Sequence, residues 1–586
     1  MEVTRLFDIL EQYLNEYPVE DAVCGKENGN WVRYSTRDYV RIVNDISYGL
    51  LQLGINKGDC IATITPNRPE WNFLDMAIMQ IGAIHVAIYP TISESDYNYI
   101  LHDANIKMIF VSGWELLKKI TNVIENIPGL PDRVYTFRNL RGYRHLNEVV
   151  ELGRANPCPQ YLQEIKDSIL PDDVVSYVYT SGTTGNPKGV MLTHRNFLTN
   201  VQGVLPIIPT KPHNRILSYL PLCHVYERMM NYCWQYLGIS IYYAENLAKI
   251  QENMVELQPD IFTTVPRLLE KIYDKIIAKG RKLTGIKRKI FFWANDVALD
   301  FDFNKGKAYE RKLKRARKLV LNQWYKALGG NLDVIVTGGA AIQTKISKIF
   351  WAMGIRVVEG YGTTETSPVI AVGNFFKGGF KFGMAGKVLP GTQVRIGGDG
   401  EILTKGNHVM KGYYQLPEQT AEAIDSEGWY HTGDLGKLTA DGHLQITGRK
   451  KEMFKTAFGK YVVPTLIENK FAEDSLIDNI MVVGENKPYA AALIVPNFQD
   501  LRSWCTRKGI PYTTNEEMIA HPDVLKKFAK IVDQYNKFFG DTEKVKRYRL
   551  ISYEWTVQTG ELTPTLKLKR NKLLEKYKDT IEQLFN

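Results

Sequence analysis

Along the N-terminal part of the chain, apolar residues switch between a helical and an extended spacing. DYVRIVNDISYGLLQL reads as a helix, opened by a capping box of Ser35 and Asp38 and ended at Gly54. An extended DCIATIT follows, then a helical EWNFLDMAIMQI and an extended AIHVAIYP; a second round comes with SDYNYILHDA and KMIFVSG. Strand, helix, strand in this rhythm predicts α/β layering with a mainly parallel sheet. After about residue 390 the pattern changes to short extended pieces with glycine turns, such as GTQVRIGGDGEILTKG and DGHLQITGR, which predict a small β-rich unit. Beyond GRKK an α+β segment runs to the end of the sequence. The expected fold class is α/β: a large N-terminal domain of several subdomains, with layered sheets and a β-rich part, then a small α+β C-terminal domain.

Composition agrees with more than one domain, since 586 residues with 44% hydrophobic content exceed one ordinary core. Cys24, Cys60, Cys158, Cys223, Cys233 and Cys505 form no CxxC pair, which argues against a disulfide framework or a thiolate metal site and favours a reducing, cytoplasmic setting. MEVTRLFDILEQYLNEY lacks the pattern of a signal peptide. The most apolar run, residues 76–90, is broken by Gln80 and His85 and is too short to span a bilayer. A soluble chain is expected, or one attached peripherally to the inner face of a membrane.

Charge sharpens that alternative. The net charge is +10, yet between Lys271 and Gly330 there are 17 Lys or Arg against 5 Asp or Glu, so the remainder is slightly acidic. Within KGKAYERKLKRARKLVLNQWYKAL, Leu313, Val320, Leu321 and Trp324 recur at helical spacing among basic residues, a pattern suited to an anionic membrane surface or to a plain solvated helix. No nucleic-acid partner is expected.

The candidate chemistry begins with YVYTSGTTGNPKGVMLTH, residues 177–194. It is not a Walker loop, because Pro187 and Gly189 stand where that motif requires glycine and a hydroxyl residue. The hydroxyls of Thr180, Ser181, Thr183 and Thr184, the glycines Gly182, Gly185 and Gly189, and the charge of Lys188 still predict an anion site. DVVSYVY reads as a strand and THRNFLTNVQGV as a helix, so the loop is expected to join strand to helix.

YTSGTTGNPKGV closely resembles the signature of the adenylate-forming enzymes, which include acyl-CoA synthetases, luciferases and peptide-synthetase adenylation domains. The resemblance implies that this loop holds the β- and γ-phosphates of ATP. VVEGYGTTETSP resembles the second signature, implying that Tyr361, beside Gly362, stacks on adenine, that Thr364 contacts the α-phosphate and that Glu365 holds Mg²⁺. TGGAAI, with Gly338, Gly339 and Ala340, resembles the wall against the adenine, where missing side chains admit a flat ring. By the same resemblance Asp434 in GWYHTGDLG grips the ribose hydroxyls, with Arg449 near the same sugar. Lys451 in GRKKE falls at the hinge, implying an N-terminal domain over 1–449 and a mobile C-terminal lid over 450–586. LTPTLKLKR resembles the closing motif with the catalytic lysine: spacing selects Lys567, with Lys569 second, and Thr565-Leu566 replaces the Ser-Gly of many members.

LPLCHVYERM, VPRLLEKIYDKI and the basic insertion look like the long-chain fatty-acid branch, which would put His224 near the substrate carboxylate and the thiol entrance. Met229, Met230, Tyr232 and Trp234 suit an acyl tunnel, and core packing accounts for them equally. No carboxylate stands out to grip a substrate amine. The expected activity is a long-chain fatty acid–CoA ligase using ATP, Mg²⁺ and coenzyme A. A ligase handing its acyl-adenylate to a carrier protein, or a medium-chain or aryl acid–CoA ligase, shares the ATP motifs. A non-catalytic nucleotide scaffold is disfavoured by the presence of Glu365 and the terminal lysine. Acyl length and oligomeric state are not set by these motifs.

Overall fold

The computed structural model describes residues 2–180, 186–376, 378–563 and 566–586. The chain forms two compact units: one comprises the residues up to 395 with 403–431 and 439–444, the other 396–402, 432–438 and 445–586. The architecture is α/β, with a large N-terminal and a small C-terminal part.

In the larger unit the expected rounds are present. The helix Thr36–Gln52 opens on Ser35, whose side chain accepts from the Asp38 amide while Asp38 accepts in return, and the turn beyond it passes through Gly54 at φ +76°. Strand Cys60–Ile64 pairs in parallel with Ile84–Ile88 and with Ile106–Val111, and the helices Pro69–Gln80 and Glu94–Asp103 fall between. This sheet runs Gly412–Tyr413, Lys188–Thr193, Val174–Thr180, Ile84–Ile88, Cys60–Ile64, Ile106–Val111, Val134–Thr136, Arg144–His145. A second parallel set is ordered Val23–Glu27, Ser240–Tyr243, Arg215–Ser218, Ile261–Thr264, Val334–Thr337, Arg356–Gly362. Ser240–Tyr243, Ile261–Thr264 and Val334–Thr337 within it are buried along their whole length, as strands covered on both faces are.

The first signature departs from expectation at one point. KGVMLT is a strand, Lys188–Thr193, antiparallel to Val174–Thr180, so Thr180 and Lys188 are cross-strand partners and the loop joins strand to strand. The helix begins only at His194, capped by Thr193. Residues between Gly189 and Thr193 find hydrogen-bonding partners on both sides, in Val174–Thr180 and Gly412–Tyr413, and that pairing outweighs an earlier start of the helix.

In the later part of the basic segment the apolar stripe is not exposed. Helices Lys307–Ala316 and Asn322–Lys326 flank a π-turn at Arg317–Leu321, and Leu313, Val320, Leu321 and Trp324 are all buried in the adjoining core. The apolar stripe serves the fold; most of the basic residues are exposed, while Arg317 is half-buried and donates to the Ala352 carbonyl at 2.6 Å.

The smaller unit has a three-stranded sheet in which Ala490–Pro496 pairs antiparallel with Ile477–Val483 and parallel with Val545–Leu550. Helices Pro464–Phe471, Phe498–Lys508 and Pro522–Asn536 supply Phe471, Leu501 and Phe528 to its core.

A charged network lies inside the larger unit. Arg228, buried on the helix Val225–Tyr236, donates to Asp75 at 2.5 Å and to Ser176 at 2.6 Å; Tyr232 donates to Asp75 at 2.6 Å, and His85 Nδ1 lies 2.6 Å from the same carboxylate. Burial alone would raise the Asp75 carboxyl, but Arg228 and His85 hold it below the usual range. Met229, Met230 and Trp234 lie in the surrounding core, and Tyr232 is committed to the network. Arg228→Met leaves Asp75 buried without its cation and should cost about 3–5 kcal/mol in chemical denaturation, with part of that returned in the Asp75→Asn, Arg228→Met double variant.

Candidate active site

On the larger unit, the two signatures meet through a residue that neither contains. Lys188 opens its strand with its Nζ 4.9 Å from the centre of the Tyr413 ring. The Tyr413 hydroxyl donates to Glu365 Oε1 at 2.9 Å, and the Glu365 carbonyl accepts from the Met410 amide at 2.8 Å. Tyr413 faces Val190 across the strand pair, so the register that places Lys188 also places Tyr413.

The turn carrying Thr364 and Glu365 is held from the other side by Asn200, on the helix His194–Val204. Its buried amide donates to the carbonyls of Thr366 at 3.3 Å and Val369 at 3.2 Å and accepts from the Val369 amide at 2.5 Å. Gly362, just before the turn, is required by packing, since a Cβ there would lie 1.7 Å from the Pro368 carbonyl oxygen. Thr364, Glu365 and Tyr361 are each half-buried. Ser181, Gly182, Thr183, Thr184 and Gly185 lie outside the described residues; Thr180 and Lys188 bracket them as a strand pair.

Beside this turn, Gly338 ends the strand Val334–Thr337. A Cβ on Gly338 would make only ordinary contact, 3.5 Å from the Tyr226 ring, so the protein's own packing does not demand glycine there. A bare backbone is what a flat ligand ring would use. Gly339 follows at φ +80°, and it and Ala340 are exposed. The neighbouring strand carries Glu359, a buried carboxyl accepting from the Ile342 amide at 3.2 Å. Burial pushes its pKa up to about 8. His224 caps the helix Val225–Tyr236 by accepting from the Tyr226 amide at 3.2 Å, and its ring lies edge-on to Tyr89 at 6.4 Å.

On the smaller unit, three of the expected residues assemble. Arg449 Nε is 3.5 Å from Asp434 Oδ1, and the Lys567 ammonium feels both groups together with Glu452. Lys567 is exposed as a residue, yet desolvation of its amine, with Arg449 adding to the effect, lowers its pKa against the pull of Asp434 and Glu452. Its main chain closes a small loop: the Lys567 amide donates to Thr563 Oγ1 at 3.0 Å and its carbonyl accepts from the Thr563 amide at 2.8 Å. Lys569 instead begins the helix Arg570–Lys576, its amide donating to the Glu561 carbonyl at 2.8 Å. Lys451 is exposed in the turn Lys450–Glu452, while its neighbour Lys450 pairs with Asp399 at 2.6 Å and Glu401 at 2.9 Å.

Tyr413 and Asn200 were not among the residues expected from sequence. Asn200 had no local signal, being one polar residue on a helix. KGYY carries no motif and gave no indication of which carboxylate its tyrosine would meet.

Mg²⁺ fits this arrangement. Among the described residues no group of three or more His, Cys, Asp or Glu forms a metal cage. Mg²⁺ is commonly held by one or two carboxylates completed by substrate phosphates and water, and Glu365 beside Lys188 offers such a place.

Comparison with known proteins places the chain. Residues 10–414 match the model of the AMP-binding enzyme family and residues 453–586 that of the AMP-binding enzyme C-terminal domain. The chain belongs to the AMP-binding enzymes. It is 31% identical over 567 residues to the long-chain-fatty-acid–CoA ligase FadD15 of Mycobacterium bovis, covering 95% of this chain and 93% of the relative. It is 30% identical over 632 residues to human long-chain-fatty-acid–CoA ligase 1, covering 100% and 87%. The solved structure of the anthranilate CoA ligase AuaEII with anthranoyl-AMP shares the fold, with a TM-score of 0.73 at 19% identity over 99% of this chain and 98% of that one. ATP-bound MatB from Rhodopseudomonas palustris gives the same TM-score at 20% identity, covering 99% and 100%. Among the described residues no helix is long and apolar enough to cross a membrane.

Glu359 gives the site a pH signature. Its pKa is about 8 in the folded chain against an ordinary 4.5, so folding takes up a proton between those values. The contribution is complete below about pH 4.5 and is lost as pH rises through about 8. Glu359→Gln should therefore gain stability relative to the parent as pH increases over this interval, read from denaturant midpoints at each pH.

Proposed function

We propose that the protein is a long-chain fatty acid–CoA ligase. The fatty carboxylate attacks the α-phosphorus of ATP, the bond to pyrophosphate breaks, and the resulting acyl-adenylate passes its acyl group to the thiol of CoA with release of AMP. The observation that carries this reading is the junction of the two signatures at Lys188, Tyr413 and Glu365. It offers a cation for the terminal phosphates and a carboxylate for a divalent ion at one end of a strand pair. The long-chain substrate follows from the full-length similarity to the ligases named above.

Each residue has a defined task. Lys188, with the hydroxyls of the first loop, holds the β- and γ-phosphates, and Thr364 contacts the α-phosphate. Bound Mg²⁺ supplies charge screening between the two anionic reactants, and Glu365 is its protein ligand. Tyr361 and the Gly338–Gly339–Ala340 backbone receive the adenine; Asp434 accepts from the ribose hydroxyls, with Arg449 orienting it. His224 lies toward the acyl carboxylate. Lys567 stabilises the charge that develops as carboxylate meets phosphate, and Lys451 is the hinge of a mobile lid.

CoA consumption across saturated acids of graded length tests the substrate class, with a maximum expected for long chains. Accumulation of acyl-AMP without CoA consumption would instead support transfer to a carrier protein, and a maximum at medium-chain or aryl acids would relocate the specificity. Lys567→Ala should lose adenylate formation about 10²-fold in pyrophosphate exchange while still converting supplied acyl-AMP and CoA to thioester. Lys451→Pro should do the reverse, because proline fixes φ near −65° and obstructs rotation at a hinge. Equal damage to both steps by Lys567→Ala, or a selective defect only in Lys569→Ala, would reassign the lysine.

We also propose peripheral contact with an anionic membrane, supported by one stretch of the basic segment. From Lys275 to Asn295 there are seven Lys or Arg and no Asp or Glu, and the helix Gly285–Leu299 exposes Ile286 to 69% and Trp293 to 36%. Apolar side chains set in a stretch with a local excess of basic residues suit an interfacial helix. Ile286→Asp with Trp293→Ala should reduce co-sedimentation with phosphatidylglycerol-containing vesicles severalfold and leave turnover of a soluble short-chain acid unchanged.

A further inference from the structure

Lys188 and Glu365 carry opposite charges and both approach one side chain, Lys188 at its ring and Glu365 at its hydroxyl, yet among the described residues no ion pair joins them. Tyr413 stands in the way: its ring receives the Lys188 ammonium at 4.9 Å, and its hydroxyl donates to Glu365 Oε1 at 2.9 Å. The ring is buried, at 8% exposure. Its backbone is fixed on two sides, by pairing with Val190 and by its amide donating to Thr420 Oγ1 at 2.9 Å. Tyr430, also buried, hydrogen-bonds the same hydroxyl and so helps direct its proton at Glu365. Packing needs none of this, since phenylalanine would fill the same volume.

We infer that Tyr413 is a positioning residue that keeps Lys188 and Glu365 apart, so that the ammonium stays available to phosphate and the carboxylate to a divalent cation. This rests on the reading of Glu365 as the Mg²⁺ ligand. A direct Lys188–Glu365 ion pair would cancel both charges before ATP arrived. A neutral wedge with a π-face for the cation and a hydroxyl for the anion satisfies each without cancelling either. The hydroxyl also fixes the rotamer of Glu365 and leaves its second oxygen for the metal, as partners of metal-binding carboxylates commonly do.

The full-length protein with Mn²⁺ and α,β-methylene-ATP provides a binding readout independent of turnover, through the enhancement of water proton relaxation. Tyr413→Phe removes only the hydroxyl: its melting temperature should stay near that of the parent while half-saturation by Mn²⁺ rises about 10-fold, the usual size for losing such a partner. Tyr413→Ala removes the wedge and should weaken both Mn²⁺ and nucleotide binding, and adding Lys188→Met to it should recover part of the Mn²⁺ affinity, because the competing ammonium is gone. Tyr430→Phe, which leaves Tyr413 in place, should give a smaller shift in the same direction and serves where a Tyr413 variant does not fold. If Glu365→Gln weakens Mn²⁺ binding and neither Tyr413→Phe nor Tyr430→Phe does, the positioning role is overturned. If Glu365→Gln itself leaves Mn²⁺ binding unchanged, the metal reading falls and this role falls with it.

Discussion

The junction of the two signatures depends on one piece of strand pairing. Lys188–Thr193 lies between Val174–Thr180 and Gly412–Tyr413, and main-chain hydrogen bonds set both registers. A slip of one residue would turn alternate side chains to the opposite face and send Lys188 or Tyr413 away from the site. The helix that follows then delivers Asn200 to the second signature, so two motifs far apart in sequence share one scaffold.

Charges are treated in two contrasting ways in the larger unit. In the core, Arg228, Asp75 and His85 are brought into direct contact and every formal charge has a partner, because an unpartnered ion there would face a desolvation cost of several kcal/mol. At the signature junction Lys188 and Glu365 are half-exposed and remain unpaired with each other. Partial hydration makes such separation tolerable, and in the proposed reading an incoming polyphosphate with its cation would supply the partners. The buried cluster contributes to structure, and the separated pair is prepared for a ligand.

The smaller unit makes its own arrangement from distant pieces. Asp434 comes from the strand Tyr430–Leu438, Arg449 from the end of His443–Arg449, and Lys567 from a loop near the C-terminal end, yet their charges act on one another. A lysine with a lowered pKa beside an arginine is desolvated and close to a like charge, and both conditions favour an anionic partner.

Much of this was legible in the sequence, because the features concerned are local. The Ser35–Asp38 capping box and the alternation of strand and helix are written in consecutive residues and follow from local spacing, and the runs around Gly182 and Tyr361 are consecutive too, though what they do is implied by their resemblance to family signatures. Other features could not be read there. That KGVMLT is a strand depends on pairing with Val174–Thr180 on one side and with Gly412–Tyr413, more than two hundred residues later, on the other, and that Leu313, Val320, Leu321 and Trp324 face a core depends on which surface packs on them. Tyr413 carries no motif; it acquires meaning only where its hydroxyl meets Glu365 and its ring meets Lys188. Local periodicity and turn chemistry are properties of neighbouring residues and so belong to the sequence. The partner of a side chain across the sheet, and the charge it meets there, are decided by long-range pairing that only the tertiary structure supplies.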